Sequence, residues 1–139
     1  MKTSRFVPVI FICVIFALPA VAIGEEEQVV VAEDISPSSA HSMIEENLGN
    51  EDFVILDVRT PGEFRKGHIE GAENINYYGD DFRERIEGLD RKRTYLVYCI
   101  TGKTSGHTLE LMKELGFFRV YNLIGGITAW QDEGFPVMQ

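Results

Sequence analysis

Three short runs between Phe53 and Gly125 are almost wholly apolar, and the stretches between them alternate polar and apolar residues at helical spacing. The runs are "FVILDV" (Phe53 to Val58), "TYLVYC" (Thr94 to Cys99) and "RVYNLIG" (Arg119 to Gly125). They are rich in β-branched and aromatic residues and lack strict alternation, which predicts strands covered on both faces, as in a parallel sheet. "VVVAEDI" predicts a short strand ahead of them, and "AENIN" a brief one in the middle. The segment "SPSSAHSMIEENLG" predicts a helix capped by Ser36, with Pro37 at its first position and Gly49 at its stop. "DDFRERIEGLD" predicts a modest amphipathic helix with Phe82, Ile86 and Leu89 on one side. The clearest helix is "SGHTLELMKELGF", with Leu109, Met112 and Leu115 on one face and Gly116 closing it. "TPGEFRKGHIEGA" reads as turn, short helix and turn, and "ITAWQDEG" as a final short helix. Strands alternating with helices predict an α/β fold with a mostly parallel central sheet and helices on both faces.

The first 22 residues stand apart. Lys2 and Arg5 precede an uncharged run of 18 residues from Phe6 to Ile23, and Ala20-Val21-Ala22 supplies a small-x-small cleavage pattern. Residues 1–22 are therefore expected to be a signal peptide that sends the protein out of the cytoplasm, to a bacterial periplasm. The competing reading is an uncleaved anchor, since the run reaches the short end of a spanning length. Pro8, Pro19 and the two alanines favour cleavage. Residues 23–34 read as an acidic linker with a possible first strand, and residues 35–139 as one domain.

The leader carries two of the 13 basic residues and none of the 22 acidic ones, so its removal leaves a net charge of −11. Such a domain is a poor partner for nucleic acid or for anionic lipid, and no membrane contact is expected after cleavage. Of the two cysteines, Cys13 leaves with the leader and Cys99 remains alone. An exported protein with one thiol forms no internal disulfide; it either buries the thiol or uses it. Ligands of parallel α/β sheets collect beyond the carboxyl ends of strands. Asp57 and Cys99 both stand there, which makes Cys99 a site candidate as well as a core thiol.

The loop "YCITGKTSG" that follows admits three readings. A nucleotide-binding loop needs a glycine five residues before Gly102-Lys103-Thr104, but Val97 occupies that place inside a strand. A cysteine phosphatase needs an arginine six positions after the cysteine to fork the phosphoryl oxygens, and Ser105 stands there instead. In the third reading, Ile100, Thr101, Gly102 and Lys103 separate Cys99 from Thr104, and Ser105 caps the next helix. Backbone N–H groups of so tight a loop converge above the sulfur and join the positive end of that helix. The result is an anion cradle that lowers the thiol pKa and can hold a charged sulfur species.

The stretch from about Phe53 to Val137, most of the mature chain, then resembles a single-domain rhodanese, a family of sulfurtransferases. "LDVRTPGEFRKGHIEGAENI" is similar to the family's Asp-Val-Arg…Glu-Phe…Gly-His-Ile-x-Gly-Ala segment. "YLVYCITGKTSG" resembles its Cys-x-x-Gly-x-x-Ser active loop, and "LGFFRVYNLIGGITAWQDEGFPV" its closing Leu-Gly-Gly-x-x-x-Trp segment. The resemblance implies that Cys99 takes sulfane sulfur from a small anion such as thiosulfate and passes it, through a persulfide, to cyanide, a thiol or a protein acceptor. Substrate contacts are expected from Ile100, Thr101, Gly102, Lys103, Thr104 and Ser105. Family loops often carry arginine where this chain has Ile100, Lys103 and Thr104, so Lys103 is expected to meet the sulfonate end of the donor. Two other classes compete: a non-enzymatic persulfide carrier docking through its acidic surface, and a thiol redox sensor, which would lack a resolving cysteine.

Outside the loop, Asp57 is expected to tie the turn after its strand, and Arg59 to pair with Glu63 or a nearby carbonyl. The resemblance makes His68 a packing residue, not a base. His107, one turn past the loop, is placed to tune the site electrostatically, and His41 is expected to face solvent. No metal-ligand spacing is present and no cofactor is expected. Trp130, Phe117 and Phe118 read as core. Tyr98 and Ile100 flank the cysteine and are expected to shape its pocket, and Gly125-Gly126 to turn beside the loop.

Overall fold

The computed structural model describes residues 29–139; the expected signal peptide and the acidic run before Val29 lie outside the described residues. The element order is β1 (Val31–Ile35), α1 (Pro37–Glu46), β2 (Phe53–Asp57), α2 (Pro61–Lys66), β3 (Glu73–Asn74), α3 (Phe82–Glu87), β4 (Thr94–Tyr98), α4 (Lys103–Glu114), β5 (Arg119–Leu123) and α5 (Gly126–Asp132). The five strands form one sheet in the order β1-β5-β4-β2-β3, and every neighbouring pair is parallel. Strand β4 is therefore central, with β2 and β5 on either side.

Strands β2, β4 and β5 divide their side chains between two cores, which is why their runs read as continuously apolar. Val54, Leu56, Tyr95, Val97 and Val120 pack on one face with Phe82 and Ile86 of α3 and Leu109 and Met112 of α4. Ile55, Leu96, Tyr98 and Leu123 pack on the other with Ala40 of α1 and Ile127 and Trp130 of α5. A strand buried on both faces has no solvent side to mark with polar residues. The expected α/β architecture, with a parallel sheet and helices on both faces, is the observed one.

Local signals set the helix ends. Ser36 caps α1 by accepting from Ser39 N–H at 3.2 Å, with Pro37 at the first turn, as expected. The helix stops at Asn47, two residues before Gly49, whose φ of +75° continues the turn. Thr60 and Glu63 form a reciprocal capping box on α2, Glu63 accepting from Thr60 N–H at 3.0 Å. Gly116, at φ +81°, ends α4: its N–H donates to Lys113 O and Phe117 N–H to Met112 O, both bonds of a Schellman closure.

One buried charge pair joins the end of β2 to the following segment. Asp57 is fully buried and Arg59 nearly so; Nη2 of Arg59 lies 2.6 Å from Asp57 Oδ2 and Nε 3.0 Å from it. Asp57 Oδ1 also accepts from the Arg59 N–H at 2.8 Å, which ties the turn as expected. Of the two partners expected for Arg59, the carbonyl is found, Gly67 O at 2.7 Å, and Glu63 is not, because the capping box holds it. Burial works against the Arg59 charge, but the hydrogen bond and charge of Asp57 outweigh it and raise the guanidinium pKa.

Replacing Asp57 with Ala strands that guanidinium in the interior, where losing one partner of a buried pair costs about 3–5 kcal/mol. Urea unfolding of Asp57→Ala is expected to show a loss of that size. A midpoint equal to that of the parent protein would mean the pair contributes no net stability.

Candidate active site

Cys99 is the first residue beyond the central strand, and α4 begins four residues later. The intervening turn bends because Gly102 adopts φ +90° and ψ −1°, a left-handed conformation open to glycine. A Cβ there would stand 3.1 Å from both Leu123 O and Gly125 N, so the turn is also packed too tightly for a side chain.

Cys99 is 96% buried, and the neighbours of its sulfur are donors. Gly102 N–H donates to Sγ at 3.1 Å and Ser105 Oγ at 3.3 Å. The twelve-residue helix α4 directs its amino end at the same place, adding its dipole to theirs. Burial pushes the Cys99 thiol up. The side chains of Ser105 and Thr104 and the N–H groups of Ser105 and Thr101 pull it down further, and the balance falls below the ordinary thiol value. The thiol is thus more acidic than a free one although the residue is buried.

The loop is braced from behind. Ile127 N–H donates to Cys99 O at 2.9 Å and Thr128 N–H to Ile100 O at 3.2 Å, so the first turn of α5 grips the loop carbonyls. Gly126 makes this approach possible: at φ +59°, any Cβ would collide with the carbonyl oxygens of Cys99 and Ile100. The expected Gly125-Gly126 turn is present, and Gly126 already belongs to α5.

Over the sulfur opens a cleft of about 310 Å³ lined by Ile100, Thr101, Lys103 and Thr104 of the loop. Gly102 and Ser105 touch the sulfur from below instead. Ser105 does not cap α4: the helix starts at Lys103, Gly102 takes the cap position, and Ser105 is fully buried in the first turn, its hydroxyl on the thiol. Lys103 is exposed and makes no ion pair among the described residues. It stands in the first turn of a helix, where a cation opposes the dipole, and its charge remains available to a ligand.

The opposite wall comes from the segment after β2. Val58, Arg59, Thr60 and Glu63 line it, and Tyr78 stands at the rim. Sequence reasoning placed none of these in the pocket. The signal was that β2 and β4 are both buried parallel strands; once paired, Val58 N–H donates to Tyr98 O at 3.0 Å and brings the two following loops face to face.

Several other expectations are corrected. Tyr98 does not shape the pocket; it points to the opposite face, where its hydroxyl accepts from Ile69 N–H at 3.1 Å. Burial, then the nearby Asp57 carboxylate, pushes that phenol far above its ordinary value. His41 does not face solvent freely but stacks on Phe135 at 4.4 Å. His68 is a packing residue, stacked on Phe64 at 3.9 Å and bridged to Met138 through its backbone. His107 is exposed beside Tyr77 and does not line the cleft. Trp130 and Phe117 are buried core residues as expected, and Phe118 is half-buried.

Residues 39–133 match the family model of the rhodanese-like domain. A sulfurtransferase of Allochromatium vinosum is 28% identical over 104 residues, which is 75% of this chain and 95% of that protein. The thiosulfate sulfurtransferase GlpE of Shewanella oneidensis is 36% identical over 78 residues, 56% of this chain and 75% of its own length. Among solved structures, a rhodanese-related protein from Thermoplasma volcanium superposes with a TM-score of 0.63 at 32% identity, over 76% of this chain and 97% of that one.

The donors around Cys99 make a direct prediction. Alkylation by iodoacetamide is expected to rise with pH through a midpoint below the value of about 8.5 for a free thiol. Ser105→Ala, which removes one donor, is expected to move that midpoint upward. A parent midpoint at or above the free-thiol value would show that burial outweighs the donors.

Proposed function

The chain belongs to the rhodanese-like domain family, and we propose that it is a sulfurtransferase that carries sulfane sulfur on Cys99, from thiosulfate or a similar donor to a thiophilic acceptor such as cyanide or a thiol. The observation that carries this reading is the Cys99 sulfur held by Gly102 N–H and Ser105 Oγ in a cleft of about 310 Å³. The relatives named as sulfurtransferases support the reaction class.

In the first half of the cycle the Cys99 thiolate attacks the outer sulfur of thiosulfate. The bond between the two donor sulfurs breaks, and sulfite leaves with its electron pair. Cys99 keeps the transferred atom as a persulfide anion. In the second half an acceptor nucleophile attacks that terminal sulfur and the thiolate leaves, so cyanide departs as thiocyanate. No proton need be abstracted once the thiolate exists, which fits the absence of a histidine from the cleft lining. The donors that favour the thiolate suit the persulfide anion equally, so both resting forms are stabilised by one set of groups. Lys103 serves the sulfonate end of the donor, and Ile100, Thr101 and Thr104 complete its contacts.

Export to a bacterial periplasm fits the leader-like residues 1–22 and the single remaining thiol. Mass analysis of periplasmic extract is expected to give a chain beginning at Ile23. Full-length protein in the membrane fraction would favour an anchor.

Intact mass after thiosulfate is expected to rise by one sulfur atom, which cyanide removes and Cys99→Ala abolishes. No gain of mass with any small donor would sink the transferase reading in favour of a carrier charged by a protein partner. Lys103→Ala is expected to raise the KM for thiosulfate about tenfold with kcat within about twofold, the signature of lost ground-state binding. Unchanged kinetics would remove Lys103 from the site.

A further inference from the structure

Asn122 lies on β5, directly behind the active loop, and is 96% buried. Its Nδ2 donates to Asp34 Oδ1 on the edge strand β1 at 2.8 Å and to Gly102 O at 3.3 Å. Both partners only accept, so the amide orientation is fixed: nitrogen must face them and oxygen must face away. That oxygen, Oδ1, is buried with no protein partner among the described residues. An apolar side chain of similar size would fill this space without burying an unpaired acceptor. Helix α4 passes close above, since a Cβ on Gly106 would stand 3.5 Å from the same nitrogen.

The carbonyl that Asn122 holds belongs to the residue whose own N–H donates to Cys99 Sγ. At Gly102 ψ is −1°, so the nitrogens of Gly102 and Lys103 lie on the same side of the backbone. In a trans peptide the carbonyl of Gly102 and the N–H of Lys103 point in opposite directions. The Gly102 carbonyl also accepts from Gly106 N–H at 3.1 Å, the first bond of α4, so Asn122 adds a second hold from behind. A carbonyl held in this way leaves the Lys103 N–H directed toward the opposite side, where the loop faces Cys99. As the first residue of α4, Lys103 has an amide with no acceptor inside the helix.

We propose that Asn122 is a positioning residue of the sulfur cradle: anchored by Asp34, its amide holds the Gly102 carbonyl away from Cys99 and so aims the Lys103 N–H at the terminal sulfur carried there. The assignment rests on the persulfide reading of the cleft and extends it to a residue outside the loop. Asp34, exposed on an edge strand, acts on the cradle through this amide.

Two variants and two readouts test it. Asn122→Leu keeps the branched shape, at a somewhat larger volume, and removes the donor; Asp34→Ala removes the anchor at an exposed position. The readouts are the pH midpoint of Cys99 alkylation and the single-turnover rate of sulfur loading from thiosulfate, with circular dichroism confirming the fold. Asn122→Leu is expected to raise the midpoint and slow loading about tenfold, less than the hundredfold or more lost with a direct anion-hole donor. Asp34→Ala is expected to change both in the same direction, about two- to threefold in rate, since it removes only the support of that amide. An unchanged midpoint and loading rate in folded Asn122→Leu, or in Asp34→Ala should the first variant not fold, would overturn the proposal. If the parent protein takes up no sulfur, the sulfurtransferase reading fails on its own, and the alkylation midpoints still decide whether Asn122 sets the cradle.

Discussion

Negative charge on a sulfur atom removed from water is the constraint on which the site depends. Burial alone drives a thiol toward its neutral form, so a thiolate at Cys99 requires donors already fixed in place. The chain provides them by ending its central strand one residue before the cysteine and starting a twelve-residue helix within four residues of it. That distance leaves the loop little freedom. The Gly102 N–H and the Ser105 hydroxyl reach the sulfur because strand and helix are packed together in one core, which also takes in Cys99.

The glycines in and beside the loop serve the same end. Gly102 accepts a left-handed turn, and Gly126 lets the first turn of α5 lie against the carbonyls of Cys99 and Ile100. With those carbonyls held by Ile127 and Thr128, the loop presents N–H groups to the cleft and keeps its oxygens behind. A loop free to reverse those peptides would offer lone pairs to the sulfur and repel the anion it is meant to hold. The buried Asp57–Arg59 pair fixes the facing wall in a comparable way, by tying the end of β2 to the carbonyl of Gly67. The cleft thus lies between two loops, each leaving a buried parallel strand and each anchored from the side away from the ligand.

Lys103 is the one loop cation, and it occupies a position the helix dipole disfavours. It makes no ion pair among the described residues, so its charge is not neutralised within the fold. In a chain with net charge −9, that exposed cation and the donors around Cys99 form a locally positive spot against a negative overall field.

Periodicity and residue type alone determined the parallel α/β architecture, the caps at Ser36 and Gly116, and the singling out of Cys99 with its loop. These are local matters: a short apolar run with β-branched and aromatic residues, a serine before a proline or a glycine after a helix acts within a few residues of chain. Only the tertiary structure decided which side chains meet across the sheet. It put Thr60, Glu63 and Tyr78 opposite Lys103, sent Tyr98 to the far face, and set Asn122 and Asp34 behind Gly102. Those pairings join residues up to 88 positions apart, and they follow from the strand order β1-β5-β4-β2-β3. Strand order is fixed by how the helices cover the two faces together, a property of the packed whole that no window of sequence contains.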